Sequence, residues 1–355
     1  MPLMNNILLD CERTKYPNTG LYQFCLQLGN ELIKQHDPQQ ESLFFYLPEK
    51  QLQLFGSNQQ VVPQHHLHKF FQSGTGKFQV WHSTFQNSNY KPYSPATRVV
   101  LTVNDLNFLM EEKNDNARIK KYLQHVQKNI DRADHIVCIS EFTKKIVLEH
   151  LSVGHKPIEV IYDGYDTKEF PDFDQPLYRP AKKFIFSIGT VLPKKNFHVL
   201  PALLKNNDYE LVIAGIIDKA YGEKITESAK LHGVADRVTL TGPVSEESRY
   251  WYYTHCLAFG FPSLAEGFGL PVVEAMSYGK PVFISRLTSL PEIGGDVTYY
   301  FDDFDAVSMQ QVFEKGMQHY HETNPAASIQ QRARQFNWVN TGRSYLTIYR
   351  TLYNK

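Results

Sequence analysis

Cysteine is scarce in this 355-residue chain: Cys11, Cys25, Cys138 and Cys256 stand far apart, with no C-x-x-C pair among them. That spacing excludes a disulfide framework of the kind that staples small secreted domains and points to a reducing compartment. An excess of either charge is also missing. Lys+Arg and Asp+Glu both number 37, and residues 1–170 hold 18 of each, so neither half has the basic surplus that duplex nucleic acid favours. No uncharged apolar stretch reaches 18 residues, and the opening MPLMNNILLDCERT has no basic segment before its short apolar run. A cytoplasmic protein without a membrane span is expected. Low-complexity tracts and fixed-period repeats are absent too, which removes solenoids and propellers.

Several catalytic signatures are missing as well. Gly74-Thr75-Gly76-Lys77-Phe78 is no phosphate-binding P-loop, because position 71 is Phe and Lys77 is followed by Phe. No G-x-S-x-G elbow and no Cys/His dyad spacing is present, so hydrolase chemistry lacks support. His65-His66-x-His68 has no acidic or Cys neighbour and reads as a surface cluster rather than a metal site.

What is present fits two ordinary domains at about 150 residues each. Hydrophobic residues make up 42% and aromatics 13%, enough for two cores and for ring-lined clefts. In the first half, strands are expected at Asn6–Asp10, Ser42–Leu47, Phe78–Trp81, Val99–Val103, Ile136–Ile139 and Ile158–Tyr162. Helices are expected at Gly20–Gln35, Asn116–Ala133 and Glu141–Leu151, the last with Ser140 as its N-cap. Residues 163–180 carry three prolines and no apolar periodicity, and place a linker there.

The second half starts a new alternation. Strands are read at Lys183–Ile188, Glu210–Ala214, Val238–Thr241, Cys256–Phe261 and Pro281–Ser285. Helices are read at Asn196–Lys205, Ala220–His232, Ser245–Thr254, Leu270–Tyr278, Ala306–Tyr320 and Pro325–Gln335. The fold class is therefore α/β: two doubly wound Rossmann-like domains, 1–170 and 171–337, facing a central cleft, with the helix 338–355 packing back on the first.

The most informative segment runs from Phe261 to Met276, FPSLAEGFGLPVVEAM. A strand ends, glycines follow, and Pro271 sits where a first helical turn tolerates it. The amides of Phe268, Gly269 and Leu270 would then point out of a helix N-terminus, where the dipole favours an anion such as a diphosphate. Glu266 and Glu274 flank that cradle, and carboxylates suit hydroxyl-rich ligands. Spacing alone fits a plain βα turn with both glutamates on the surface equally well. A dinucleotide fingerprint fits poorly, because its third glycine falls on Val272.

The Glu-x7-Glu block Glu266–Glu274, with Gly279-Lys280-Pro281-Val282 and Ser289–Asp296, closely resembles the retaining glycosyltransferases of family 4, which have the GT-B fold. Asn18-Thr19-Gly20, Arg132-Ala133-Asp134, Tyr162-Asp163-Gly164, Ser187–Thr190, Pro193-Lys194-Lys195-Asn196 and Thr241–Val244 match in family order. The resemblance implies that Glu274 binds the nucleotide ribose, that Glu266 lies by the donor sugar, and that Lys195 meets the diphosphate. It further implies that backbone around Val244 meets the base and that Gly20 lets the first domain approach the phosphates.

Two positions depart from the family pattern. Thr190 stands where many members have Arg, with Lys194 as a substitute phosphate contact, and Asn104 stands where many have a His that touches the donor sugar. The catalytic set is thus Glu266, Lys195 and Asn104, with Gly20, Thr190, Lys194, Val244, Phe268, Gly269, Leu270 and Glu274 on the donor. No metal or cofactor is expected, because Lys195 and the helix-end amides replace a cation.

The implied reaction is transfer of a hexose, mannose from GDP-mannose favoured over a UDP-sugar, to a glycan or lipid-linked acceptor in surface polysaccharide or lipopolysaccharide assembly. A GT-B sugar-nucleotide epimerase and a non-catalytic sugar-nucleotide-binding subunit are the alternatives. His65–Phe71 and the helix around Lys113–Arg132 read either as solvated faces or as a peripheral contact on the cytoplasmic face of the membrane.

Overall fold

The computed structural model describes residues 4–17, 19–71, 74–111, 115–166 and 168–354; Met1–Leu3, Asn18 and Lys113 of the sequence reading lie outside the described residues. The chain divides into two compact units, Met1–Gly164 with Asn337–Lys355, and Tyr165–Phe336.

In the first unit, seven strands form one parallel sheet: β1 (Asn5–Asp10), β2 (Glu41–Leu47), β3 (Gln60–Pro63), β4 (Val80–Ser83), β5 (Arg98–Val103), β6 (His135–Cys138) and β7 (Ile158–Val160). Their order is β3-β2-β1-β4-β5-β6-β7. Helices α1 (Gly20–Gln35), α2 (Phe108–Glu111), α3 (Asn116–Arg132) and α4 (Glu141–His150) link them. Local chemistry sets the helix starts: Thr19, Asp115 and Ser140 each accept a backbone N–H of the first turn through a side-chain oxygen.

Both faces of this sheet are covered, which is why β4 is buried at all four positions instead of alternating. One face packs Leu8, Trp81, Val99 and Leu101 against Val126 and Ile130 of α3. The other packs Ile7, Leu9, Val80 and Val100 against Phe24, Leu28 and Leu32 of α1 and against Trp338, Tyr345, Tyr349 and Leu352. The last four belong to the C-terminal helix, Trp338–Tyr353, which completes the core of the first unit.

In the second unit, six parallel strands, β8 (Phe184–Ile188), β9 (Glu210–Ala214), β10 (Val238–Gly242), β11 (Ala258–Phe261), β12 (Val282–Ser285) and β13 (Tyr299–Phe301), take the order β10-β9-β8-β11-β12-β13. The helices are α5 (Lys219–Leu231), α6 (Glu246–His255), α7 (Leu270–Ser277), α8 (Leu290–Gly294), α9 (Ala306–Thr323) and α10 (Ala326–Ala333). Each sheet reverses its strand order once, between β1 and β4 and between β8 and β11. At such a switch point the loops leaving neighbouring strands part and leave a crevice for ligand.

Several details differ from the sequence reading, the short helices α2 and α8 among them. The α-helix expected over Asn196–Lys205 is a 3-10 helix over Phe197–Leu204, because Pro201 lacks the N–H that an α-turn needs and Asn196 enters with φ 57°. Strands β3 and β13 carry no clear strand signal in the sequence: one ends in Pro63 and the other has only three residues. The division between units falls at Gly164/Tyr165, not after Phe170. Residues past Gly164 pack on α6, with Lys168 paired to Glu246 at 2.8 Å and the Phe170 ring edge-on to Tyr250.

Candidate active site

The crevice of the second unit is framed by the loops that leave β8 and β11. Close backbone contact holds the β8 side in place. A Cβ on Gly215, which has φ +133°, would stand 1.9 Å from the carbonyl oxygen of Gly189. The Gly215 amide donates to Gly242 and the Gly189 amide to Ala214, at 2.8 and 3.0 Å. The loops after β8, β9 and β10 are thereby laced into one surface that no side chain at 215 would permit.

Beyond Gly189 and the half-buried Thr190, a short 3-10 turn, Pro193–Lys195, carries the two lysines. The Lys194 carbonyl accepts from the Leu264 amide at 2.7 Å and from Ser263 Oγ at 3.2 Å, which ties this turn to the loop after β11. The Lys195 stem lies against Gly189, where a Cβ would stand 3.4 Å from Cε. Its Nζ sits 4.8 Å from the Phe261 ring centroid and 2.5 Å from Glu266 Oε1. The two side chains are only 12% and 13% exposed. An ammonium on a ring face, opposite a nearly buried carboxylate, is confined to one position.

The β11 loop is held from below. Thr288 Oγ1 accepts the Glu266 amide at 3.1 Å, and Ser289 Oγ donates to the carbonyls of Glu266 and Phe268 at 3.1 and 2.9 Å. Gly269 caps α7 with φ 111°, and a Cβ there would lie 2.7 Å from Leu290 Cδ2. Leu270 and Pro271 then open the helix, and the Leu270 amide has no acceptor within the helix. The Phe268 ring is turned inward, 4% exposed and edge-on to Phe336.

One turn into α7, Glu274 is 5% exposed. Tyr253 donates its hydroxyl to Glu274 Oε2 at 2.8 Å, and Arg249 Nη1 lies 3.5 Å from Oε1. Burial pushes the Glu274 carboxyl above its ordinary value, while Arg249 and the Tyr253 hydrogen bond oppose that rise. Glu274 faces a shallow recess whose walls include the rings of Phe170, Tyr250 and Tyr278 and the carboxylates of Asp166 and Glu246. Val244, half-buried, precedes α6 and its Ser245 cap.

The structure thus brings Lys194, Lys195, Glu266, Phe268, Gly269 and Leu270 to one switch point, with Thr190 beside Gly189 and Glu274 one turn below. Gly20 and Asn104 belong to the first unit. Gly20 opens α1 with free space where a Cβ would stand. Asn104 is 6% exposed, and its amide nitrogen is committed to the Thr84 carbonyl at 2.9 Å and Gln86 Oε1 at 3.4 Å. Arg249, Tyr253, Thr288 and Ser289 went unread as site residues. Tyr253 passes for core in the aromatic run of α6, Ser289 opens the block Ser289–Asp296 without a role attached to it, and Arg249 and Thr288 act through tertiary contacts that leave no spacing signal.

Among the described residues, no cluster of three His, Cys, Asp or Glu is placed to hold a metal ion. His65 instead accepts the Leu67 amide and His68 meets the Tyr46 hydroxyl. No described helix is long and apolar enough to cross a membrane.

Two family models match the chain. The model described as Glycosyl transferases group 1 covers residues 169–334, and that described as Glycosyltransferase Family 4 covers residues 46–169. The serotype-specific mannosyltransferase WbdA of Escherichia coli is 28% identical over 241 residues, 62% of this chain but only 29% of that protein. This chain therefore spans less than a third of WbdA. The O-antigen chain mannosyltransferase B of Escherichia coli is 26% identical over 72% of this chain and 71% of its own length. Among solved structures, Anabaena HepE, determined in complex with UDP and glucose, superposes with a TM-score of 0.75 at 15% identity, over 98% of this chain and 100% of its own. With two parallel-sheet units, a Glu-x7-Glu pair seated at a switch point and family models spanning 46–334, the chain belongs to the family 4 glycosyltransferases and has the GT-B fold.

Proposed function

We propose that this chain is a retaining glycosyltransferase that moves a hexose from a nucleotide-diphosphate sugar to a glycan or lipid-linked acceptor in surface polysaccharide assembly. The Lys195–Glu266 pair carries the reading: a 2.5 Å ion pair, nearly buried, beside the positive end of α7. A bound diphosphate would take over Lys195, exchanging one carboxylate partner for phosphate oxygens. Glu266 is then released to accept hydrogen bonds from sugar hydroxyls.

Negative charge grows on the diphosphate as the glycosidic bond breaks, and Lys195 with the α7 amides lies where that charge develops. The acceptor hydroxyl attacks on the face the nucleotide leaves, and the departing phosphate takes its proton. Glu266 serves the sugar and is not assigned as a covalent nucleophile. No metal enters this account, since the local cation is Lys195.

GDP-mannose is the favoured donor. Two relatives are named mannosyltransferases, and the recess at Glu274 adds the Glu246 carboxylate, an acceptor for the adjacent N–H donors of guanine. A peripheral contact with the membrane belongs to the same reading, because Leu67, Phe70 and Phe71 are 54%, 79% and 71% exposed next to Lys69. Incubation with GDP-mannose and UDP-sugars, each with and without a panel of glycan acceptors, tests the proposal. Nucleotide release that requires acceptor is expected, with GDP-mannose leading. Binding without turnover would favour the non-catalytic sugar-nucleotide-binding subunit.

A further inference from the structure

The first unit has a switch point of its own, between β1 and β4, and the donor residues of the second unit leave it unexplained. The chain leaves β1 at Asp10 into a short 3-10 turn, Glu12–Lys15, while the neighbouring β4 runs on into Thr84 and Phe85. Arg13 lies between them. Its guanidinium carbon stands 4.4 Å from the Phe85 ring centroid and 4.7 Å from that of Tyr16. Nε is fully buried without a hydrogen-bond partner. Among the described residues the guanidinium makes no ion pair, although its neighbours on the chain include Glu12, which pairs with Lys15 at 4.0 Å.

An arginine normally finds a carboxylate or carbonyl, and leaving a charged donor unmatched costs more than leaving a neutral one. Two rings holding the guanidinium plane offset that cost and fix the fork, so little is lost when an anion docks on its edge. The surroundings carry both signs: Arg13, Lys15 and Lys69 are all close enough to act on the Glu12 carboxylate, while Asp10 is buried and accepts from Ser88 and from the Glu12 amide.

We propose that Arg13, held between Tyr16 and Phe85, is an anion site at the switch point of the first unit, and that it takes a phosphate or carboxylate carried by the acceptor. The word acceptor rests on the transferase reading above; the anion site does not. A phosphate would come from a lipid-linked phosphate or diphosphate, a carboxylate from an acidic sugar.

Calorimetric titration of the full-length protein with methyl phosphate and, separately, with glucuronate tests this, each with and without saturating GDP or UDP. Millimolar binding of one anion that persists under saturating nucleotide is expected, and the better ligand names the source. Arg13→Gln should weaken it about tenfold or more, the loss due to a charge-assisted hydrogen-bond pair. Arg13→Lys should recover part of the affinity, and Lys195→Ala should leave it intact. The proposal is overturned if neither anion binds, if Arg13→Gln binds as the parent does, or if nucleotide or Lys195→Ala abolishes the binding. A folded far-UV spectrum for Arg13→Gln separates lost binding from lost structure. If no nucleotide binds, the transferase reading fails while the anion titration still reports on Arg13.

Discussion

His82 gives the first unit a sensitivity to acid that can be worked out from its surroundings. The side chain is fully buried on β4. Nδ1 lies 2.6 Å from the Tyr349 hydroxyl and Nε2 2.7 Å from Thr102 Oγ1, while Thr102 continues to the Tyr345 hydroxyl at 2.8 Å. Burial lowers the His82 pKa from 6.5 to about 3, so the folded chain keeps the ring neutral through the mildly acidic range. The unfolded chain takes up a proton below about 6.5. Unfolded protein thus binds more protons than folded, and stability falls as pH drops from the ordinary histidine value towards about 3. At about 1.36 kcal/mol per pH unit, lowering the pH from 7 to 5 removes about 2 kcal/mol through this one group. Tyr345 and Tyr349 have pKa values pushed well above normal by burial and do not titrate in this window.

His82→Gln keeps an amide donor and acceptor at the site without a titrating ring. Urea unfolding of the parent and of this variant at both pH values, followed by tryptophan fluorescence, isolates the effect. Trp81 and Trp338 both lie in this unit, and other titrating groups cancel between the two proteins. The parent should lose about 2 kcal/mol more than the variant. Equal losses would refute a neutral buried His82.

Three other substitutions bear on the second unit. Lys195→Ala should lower turnover about 10²–10³-fold, measured as donor-dependent nucleotide release; a wild-type rate would show that the diphosphate charge is met elsewhere. Glu274→Gln keeps the shape but removes the charge opposite Arg249, and should weaken GDP or UDP binding about tenfold, read from the melting-temperature rise each nucleotide gives. Gly215→Ala sets a methyl against the Gly189 carbonyl and should cost at least about 2 kcal/mol; a thermal melt matching the parent would contradict the close approach.

Much of this was legible because parallel strands and amphipathic helices announce themselves by period. Gly20–Gln35 coincides with its expected bounds and the last helix starts at the expected Trp338, ending at Tyr353, each having a capping residue and a continuous apolar stripe. The Glu-x7-Glu spacing was legible for a different reason: a cap glycine and a carboxylate one turn inside a helix are local to α7. Arg249 and Tyr253 reach Glu274 from α6, 25 and 21 residues earlier in the chain, and only tertiary packing brings them together. Asn104 carried a family expectation in its position, yet its contacts with Thr84 and Gln86 depend on how β4 and β5 align. Pro201 shows local chemistry overriding pattern, since the apolar spacing of Phe197–Leu204 suits an α-helix and the missing N–H forbids one.

The second unit is an insertion, placed between Gly164 and Asn337 of the first. As the chain is synthesised, residues 165–336 leave the ribosome in one block and can fold by themselves. The first unit, though begun earlier, waits for Trp338, Tyr345, Tyr349 and Leu352 to cover one face of its sheet. Until then Ile7, Leu9, Val80 and Val100 have no helix over part of their surface, and His82 has no tyrosine to bond. The half made first is therefore the half finished last, and one face of its sheet stays partly uncovered throughout the synthesis of the other.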